Sequence, residues 1–150
     1  MCSLHPNKRL RLPGYDYRCP GAYFITVVTR GRERLFGRIR DGRVYHSAEG
    51  TIAFSTWHSI PQHHHGVRLD AFVVMPDHVH GILILDSSPL SLPDLVALFK
   101  AATTREINRL RGTPGGSVWH KSYHERIIRD DGEWNRIRLY IENNPRDWID

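Results

Sequence analysis

Long apolar runs are missing from this sequence. It has no stretch of about 18 consecutive apolar residues, the length that a membrane-crossing helix needs, and no apolar signal-peptide core near Met1. A cytosolic protein with no membrane partner is the expectation. Cysteine is scarce as well. Cys2 and Cys19 both lie near the N-terminus and form no C-x-x-C pair, which leaves neither a disulfide framework nor a zinc knuckle to be read. Internal repeats, low-complexity blocks and dividing linkers are also lacking, and 150 residues suit one domain that buries its core without staples. We read 1–20 as a basic N-terminal arm and 21–150 as a single domain.

What is abundant is positive charge, and it is unevenly placed. The net charge is +5, with 9 Lys and Arg against 2 Asp and Glu over 1–40, 2 against 6 over 41–98, and 10 against 8 over 99–150. The excess is therefore N-terminal. Lys8, Arg9, Arg11 and Arg18 stand among three prolines and two tyrosines, a composition able to follow a phosphate backbone. Lys100, Arg105 and Arg109 ride on a later helix and are further candidates for DNA contact by charge.

Periodicity gives the element order. AYFITVVT (22–29) is β-branched and aromatic and predicts a core strand. Asp41-Gly42 within LFGRIRDGRVY signals a hairpin. Ser47 predicts a helix N-cap ahead of Ala53, Trp57 and Ile60, with Pro61 and the polar QHHHG stretch ending that helix. VRLDAFVVM (67–75) and HVHGILIL (78–85), joined only by Pro76 and Asp77, predict an antiparallel pair. Ser91 predicts the cap of a second helix bearing Leu95, Leu98, Phe99 and Ala102. A strand within 118–128 and a third helix ending near Asn143, Asn144 and Pro145 complete an α+β sandwich, a mainly antiparallel sheet with helices on one face.

Chemistry concentrates in two places. In a strand, alternate side chains share a face, so His78 and His80 point the same way and Val79 the other; paired imidazoles of this kind suit a metal ion. In the third helix Trp134, Ile137 and Ile141 fall within about 60° of one another as a core stripe, and Tyr140 and Asn144 share its flank. If that flank met the histidines, the site would hold two imidazoles, an amide oxygen and a phenol. Three neutral ligands and a nucleophile suit covalent phosphodiester cleavage. With imidazole ligands Mn²⁺ fits at least as well as Mg²⁺.

The ordered blocks RLPGYDYRCPGAYFITVVTRGRERLFG, DAFVVMPDHVHGILIL and WHKSYHERIIRDDGEWNRIRLYIENNP resemble the REP-associated tyrosine transposases of the single-tyrosine HUH superfamily, IS200-like transposases, over about residues 9 to 148. The resemblance implies a ferredoxin-like α+β core. It places the HUH motif on His78-Val79-His80, the nucleophile on Tyr140 and the polar third ligand on Asn144. Where other branches carry glutamine, Asn144 is one methylene shorter, which leaves direct and water-bridged ligation both open. The implied activity is metal-dependent nicking and rejoining of single-stranded DNA beside palindromic hairpins, through a 5′-phosphotyrosine, by a monomer or a homodimer.

Other readings of the same residues are weaker. Tyr123 is the rival nucleophile, but its neighbourhood beside Trp119 suggests packing. Consecutive histidines at 63–65 cannot converge on one ion. His120 and His124 read as exposed polar positions, Asp77 as a turn residue, and Trp57, Trp119, Trp134 and Trp148 as core or rim packing. Metallo-hydrolases with H-x-H need further ligands where Gly81-Ile82-Leu83 follows, and the two His-x-Thr/Ser motifs of two-histidine phosphoesterases are missing. The surviving alternative is a domesticated DNA-hairpin binder without catalysis.

Overall fold

The computed structural model describes residues 21–149, so Lys8, Arg9, Arg11 and Arg18 lie outside the described residues. The elements run β1 (Gly21–Val28), a 3-10 turn, β2 (Gly37–Arg40), β3 (Arg43–His46), α1 (Ala48–His63), β4 (Val67–Met75), β5 (His78–Leu85), α2 (Leu92–Arg111), β6 (His124–Ile128) and α3 (Asp131–Asn143). The main sheet has the order β4-β5-β1-β6 with every pair antiparallel, and β2 pairs with β3 alone. Without that hairpin and α3, the chain is β-α-β-β-α-β in the ferredoxin-like order. The α+β class and the antiparallel sheet are those expected from the sequence.

Local chemistry explains the boundaries. Asp41 and Gly42 both take positive φ, 52° and 72°, as a two-residue turn that matches strand twist requires. Ser47 Oγ accepts from the Gly50 N–H at 3.0 Å, and Ser91 and Asp94 form a capping box at the start of α2. Helix α1 runs past Pro61 to His63, beyond the stop expected there. Proline removes one helical N–H, but the final turn still closes through the His64 N–H on the Ile60 carbonyl. The expected strand over 118–128 is confined to His124–Ile128, with Trp119 forming a single bridge to Thr29. Trp119 instead drops its indole onto Thr103 Oγ1 at 2.7 Å, inside the core.

Two apolar layers sandwich the sheet. Tyr23, Ile25 and Val27 of β1 and Val79, Leu83 and Leu85 of β5 pack with Trp57 of α1 and with Leu95, Phe99 and Ile107 of α2. On the opposite face Ala22, Phe24, Ile82 and Ile84 meet Trp134, Ile137 and Ile141 of α3. Helices α1 and α2 thus share one face, as expected, whereas α3 covers the other. The alternate residues of β1 and β5 are apolar on both sides, so the second face also needs cover. Asp70 of β4 anchors α3 there by accepting from Trp134 Nε1 and from Arg138 Nε. Among the described residues no helix is long and apolar enough to cross a membrane.

Gly81 sits one residue after the histidine pair, and a Cβ there would come within 2.4 Å of the Trp57 ring. Trp57 stacks on Phe72 at 4.4 Å, so its ring has little room to yield. Gly81→Ala is expected to cost about 1–3 kcal/mol by overpacking, lowering Tm by roughly 3–10 °C. A thermal melt unchanged from wild type would show that the indole can move aside.

Candidate active site

Strand β5 begins at the hairpin turn with His78, and alternation puts His80 beside it on the α3 face. The two Nε2 atoms lie 3.0 Å apart, and both residues are buried. Each ring is anchored through its other nitrogen. His78 Nδ1 meets Asp77 Oδ1 at 2.6 Å; a carboxylate can only accept, so the Nδ1–H of His78 donates to it. His80 Nδ1 meets Thr26 Oγ1 at 2.8 Å, across the register that pairs Thr26 with His80. Burial, then the neighbouring His78 charge, pushes the His80 pKa down to about 3. Its imidazole is therefore neutral under ordinary conditions, the form that binds metal.

The donor set fits a divalent cation. Adjacent octahedral ligands at about 2.1 Å from a metal stand roughly 3 Å apart, the separation found here between the two Nε2 atoms. Anchoring of Nδ1 by a carboxylate or hydroxyl is the usual support of a metal-binding histidine. No group of three His, Cys, Asp or Glu converges among the described residues, so further ligands would be amide, hydroxyl or water oxygens.

Tyr140 reaches this pair from α3. Its ring centroid lies 5.3 Å from that of His80 and 6.2 Å from that of Phe24, edge-on to both, and the residue is 52% exposed. One chain thus brings the phenol to the His80 imidazole. Asn144 stands at the C-cap of α3 with its N–H on the Ile141 carbonyl; it is half-buried, and no hydrogen bond of its amide occurs among the described residues. Trp148, just beyond, stacks on His78 at 6.5 Å between centroids and lies under Arg34.

Other sequence candidates lie elsewhere. Tyr123 packs against the main core with α1 and α2, on the far side of the sheet from the histidines. Lys100, Arg105 and Arg109 belong to α2 on that same far side. Lys100 Nζ donates to the His120 and Ser122 carbonyls, clamping the 120–122 segment, and Arg109 pairs with Glu106 at 2.9 Å. Arg105 lines an open groove with Lys121 and His120. The His63 and His64 rings lie 6.4 Å apart, and among the described residues no third metal ligand joins them.

Four residues that the sequence does not place at the site build or border it. Asp77 does more than make a turn, since its carboxylate orients His78 and also faces Arg32 Nε at 3.4 Å; its adjacency to the H-x-H pair was the available signal. Thr26 and His124 are invisible as a pair in sequence, because only register aligns them with His80 across β5, β1 and β6. Glu133 anchors the start of α3. Buried, it accepts from the Arg129 N–H at 2.8 Å and from the Arg126 and Arg129 guanidiniums. Burial raises its pKa, but those donors outweigh burial and bring it down to about 2.

A pH signature follows from Glu133. Its folded pKa lies below the unfolded value, so its stabilisation is full above about pH 4.5 and is lost as pH falls toward about 2. Glu133→Gln is expected to cost about 2 kcal/mol near neutrality. Thermal melts should show the gap between variant and wild type closing below about pH 4. A gap independent of pH would mean that the carboxylate charge plays no part.

Comparisons with known proteins match the sequence and the fold. The family model described as Transposase IS200 like matches residues 25–144. An uncharacterized protein of Haemophilus influenzae is 33% identical over 166 aligned positions, covering 97% of this chain and 91% of that protein. Among solved structures, the fold is similar to that of the REP-associated tyrosine transposase bound to a REP hairpin. That likeness has a TM-score of 0.61 at 19% identity and covers 93% of this chain and 74% of the other. A candidate transposase from Deinococcus radiodurans R1 matches with a TM-score of 0.55 at 24% identity, over 89% of this chain and 96% of its own.

Proposed function

Because this chain belongs to the IS200-like transposase family, we propose that it nicks and rejoins single-stranded DNA beside palindromic hairpins, with Tyr140 as nucleophile. The observation that carries the reading is the packing of the Tyr140 ring on His80, whose Nε2 stands 3.0 Å from that of His78. A half-exposed phenol on α3 and a pair of buried imidazoles on β5 stand together at one site.

In this reading Tyr140 Oη attacks the scissile phosphorus. A bond forms between Oη and phosphorus, the bond to the 3′ oxygen breaks, and the phenolic proton leaves to solvent while the departing oxygen gains one. The product is a 5′-phosphotyrosine and a free 3′-hydroxyl. The covalent link keeps the phosphodiester energy for strand rejoining. His78, His80 and Asn144 would hold a divalent cation, Mg²⁺ or Mn²⁺. That ion supplies polarisation of the phosphate oxygens and offsets the charge that builds in the transition state. Asp77 and Thr26 hold the two rings so that both Nε2 atoms face one point. Phe24 holds the Tyr140 ring at the rim, so the phenol needs little reordering to meet a phosphate.

The hairpin partner is carried from the resemblance and from the REP hairpin in the similar complex. Of the helix cations, Arg105 with Lys121 is the best placed for phosphate contact, since Lys100 and Arg109 have intramolecular partners. The arm bearing Lys8, Arg9, Arg11 and Arg18 supplies further charge.

The test is incubation with Mn²⁺ and labelled single-stranded DNA carrying host hairpins, followed by denaturing electrophoresis. Label retained on the protein supports covalent nicking. Tight hairpin binding with no adduct in either metal would instead assign the chain as a non-catalytic binder.

A further inference from the structure

Beside Tyr140, on the side toward the start of α3, a pocket of about 300 Å³ opens between β1, β6 and the helix. Its wall is the Phe24 ring with Ile137, and its polar groups are Arg126, Arg136 and Glu133, with Tyr140 at the rim. The volume lies at the lower end of small-molecule sites, roughly 300–1,000 Å³, enough for one nucleotide and too small for a duplex. Its placement follows from register. Phe24 lies opposite Arg126 on β6, one step along the same face from the row of His80, Thr26 and His124.

Two features of the pocket ask for a ligand. Arg126 Nε is buried and has no hydrogen-bond partner among the described residues, although Arg126 Nη2 is bound to Glu133. A buried donor without an acceptor is costly, and such groups normally find one. Arg136 is exposed at the mouth and makes no ion pair among the described residues, while Glu133 is already neutralised by Arg126 and Arg129. The pocket is consequently cationic, with an aromatic floor. That combination of a stacking ring and guanidinium donors is what unpaired nucleotides recognise.

Resting on the nicking proposed above, we infer that this pocket holds one unpaired nucleotide next to the phosphate that Tyr140 attacks. Its base stacks on Phe24, an acceptor on the base edge meets the Arg126 guanidinium, whose side chain is 39% exposed, and draws its buried Nε toward a hydrogen bond, and its phosphate faces Arg136. The pocket makes the cleavage position depend on that flanking base, because the phosphate reaches Tyr140 only when its neighbour is seated.

The experiment uses full-length Tyr140→Phe protein and a random-sequence single-stranded oligonucleotide pool in which 5-iodouracil replaces thymine. After irradiation, cross-linked peptides are mapped by mass spectrometry. The expected result is a dominant cross-link at Phe24, reduced roughly tenfold by Arg126→Gln and several-fold by Arg136→Ala, in keeping with the strength of a base stack. Arg136 is exposed, so its variant remains informative even where Arg126→Gln does not fold. Cross-links confined to other aromatic residues overturn the inference, as does a Phe24 cross-link that neither arginine variant weakens. Persistence of a covalent adduct in Tyr140→Phe defeats the nucleophile assignment instead, and leaves the cross-link map as an independent answer about the pocket.

Discussion

Tyr140→Phe is expected to abolish the covalent protein–DNA adduct, at least about a thousandfold below wild type, while hairpin binding stays within about twofold. The physical basis is that the substitution removes one oxygen and little else. The ring that packs edge-on against His80 and Phe24 remains. Being half-exposed, the residue contributes little through its hydroxyl to stability, and a change within about 0.5 kcal/mol is anticipated. Loss of a nucleophile has no such tolerance, because among the described residues no other tyrosine packs in the layer under α3. Tyr123 packs with the other layer of the core. The measurement pairs denaturing electrophoresis of the adduct with a binding titration on the same labelled hairpin DNA. Adduct retained in the variant would falsify the assignment of Tyr140.

The second large effect concerns the imidazole pair. His80→Ala and His78→Ala should each lower adduct yield by about a hundredfold or more, and each should weaken Mn²⁺ binding measured without DNA by calorimetry. Removing either ring leaves one anchored nitrogen where two stood 3.0 Å apart, and a single imidazole on a strand makes a poor site for a hydrated cation. Asp77→Asn provides the graded comparison. It keeps the turn and the side-chain size but removes the carboxylate that accepts from His78 Nδ1, and losing the hydrogen-bond partner of a metal-binding histidine typically costs about 10–100-fold in metal affinity or activity. A chelator should reproduce the alanine phenotype in wild type, with recovery on adding Mn²⁺. If Mn²⁺ affinity were untouched by all three substitutions, the cation would have to bind elsewhere.

Much of the fold was legible because its signals are local. The bounds of β4 and β5 coincide with the two apolar runs on either side of Pro76-Asp77, and both serine caps stand where the sequence placed them. The failures were equally local in cause. Pro61 predicts a stop, yet a proline in the last turn forfeits only one hydrogen bond. The segment around Trp119 looked strand-like from its apolar residues, but the indole satisfies itself through Thr103 and the backbone gains only one bridge.

For the site, the sequence by itself determined the pairings that depend on a single element's period. A repeat of two put His78 and His80 on one side of β5, and a repeat of 3.6 put Tyr140 and Asn144 on one flank of α3. Tertiary structure decided everything that joins separate elements. An apolar stripe such as Trp134, Ile137 and Ile141 can be buried against either face of a sheet, so it does not say which face receives α3. The choice came from the apolar second face of β1 and β5 and from Asp70 on β4, more than sixty residues from its partners. Register across β5, β1 and β6 likewise aligned Thr26, His124, Phe24 and Arg126 with the histidines, because cross-strand neighbours are set by hydrogen-bond pairing and not by distance along the chain.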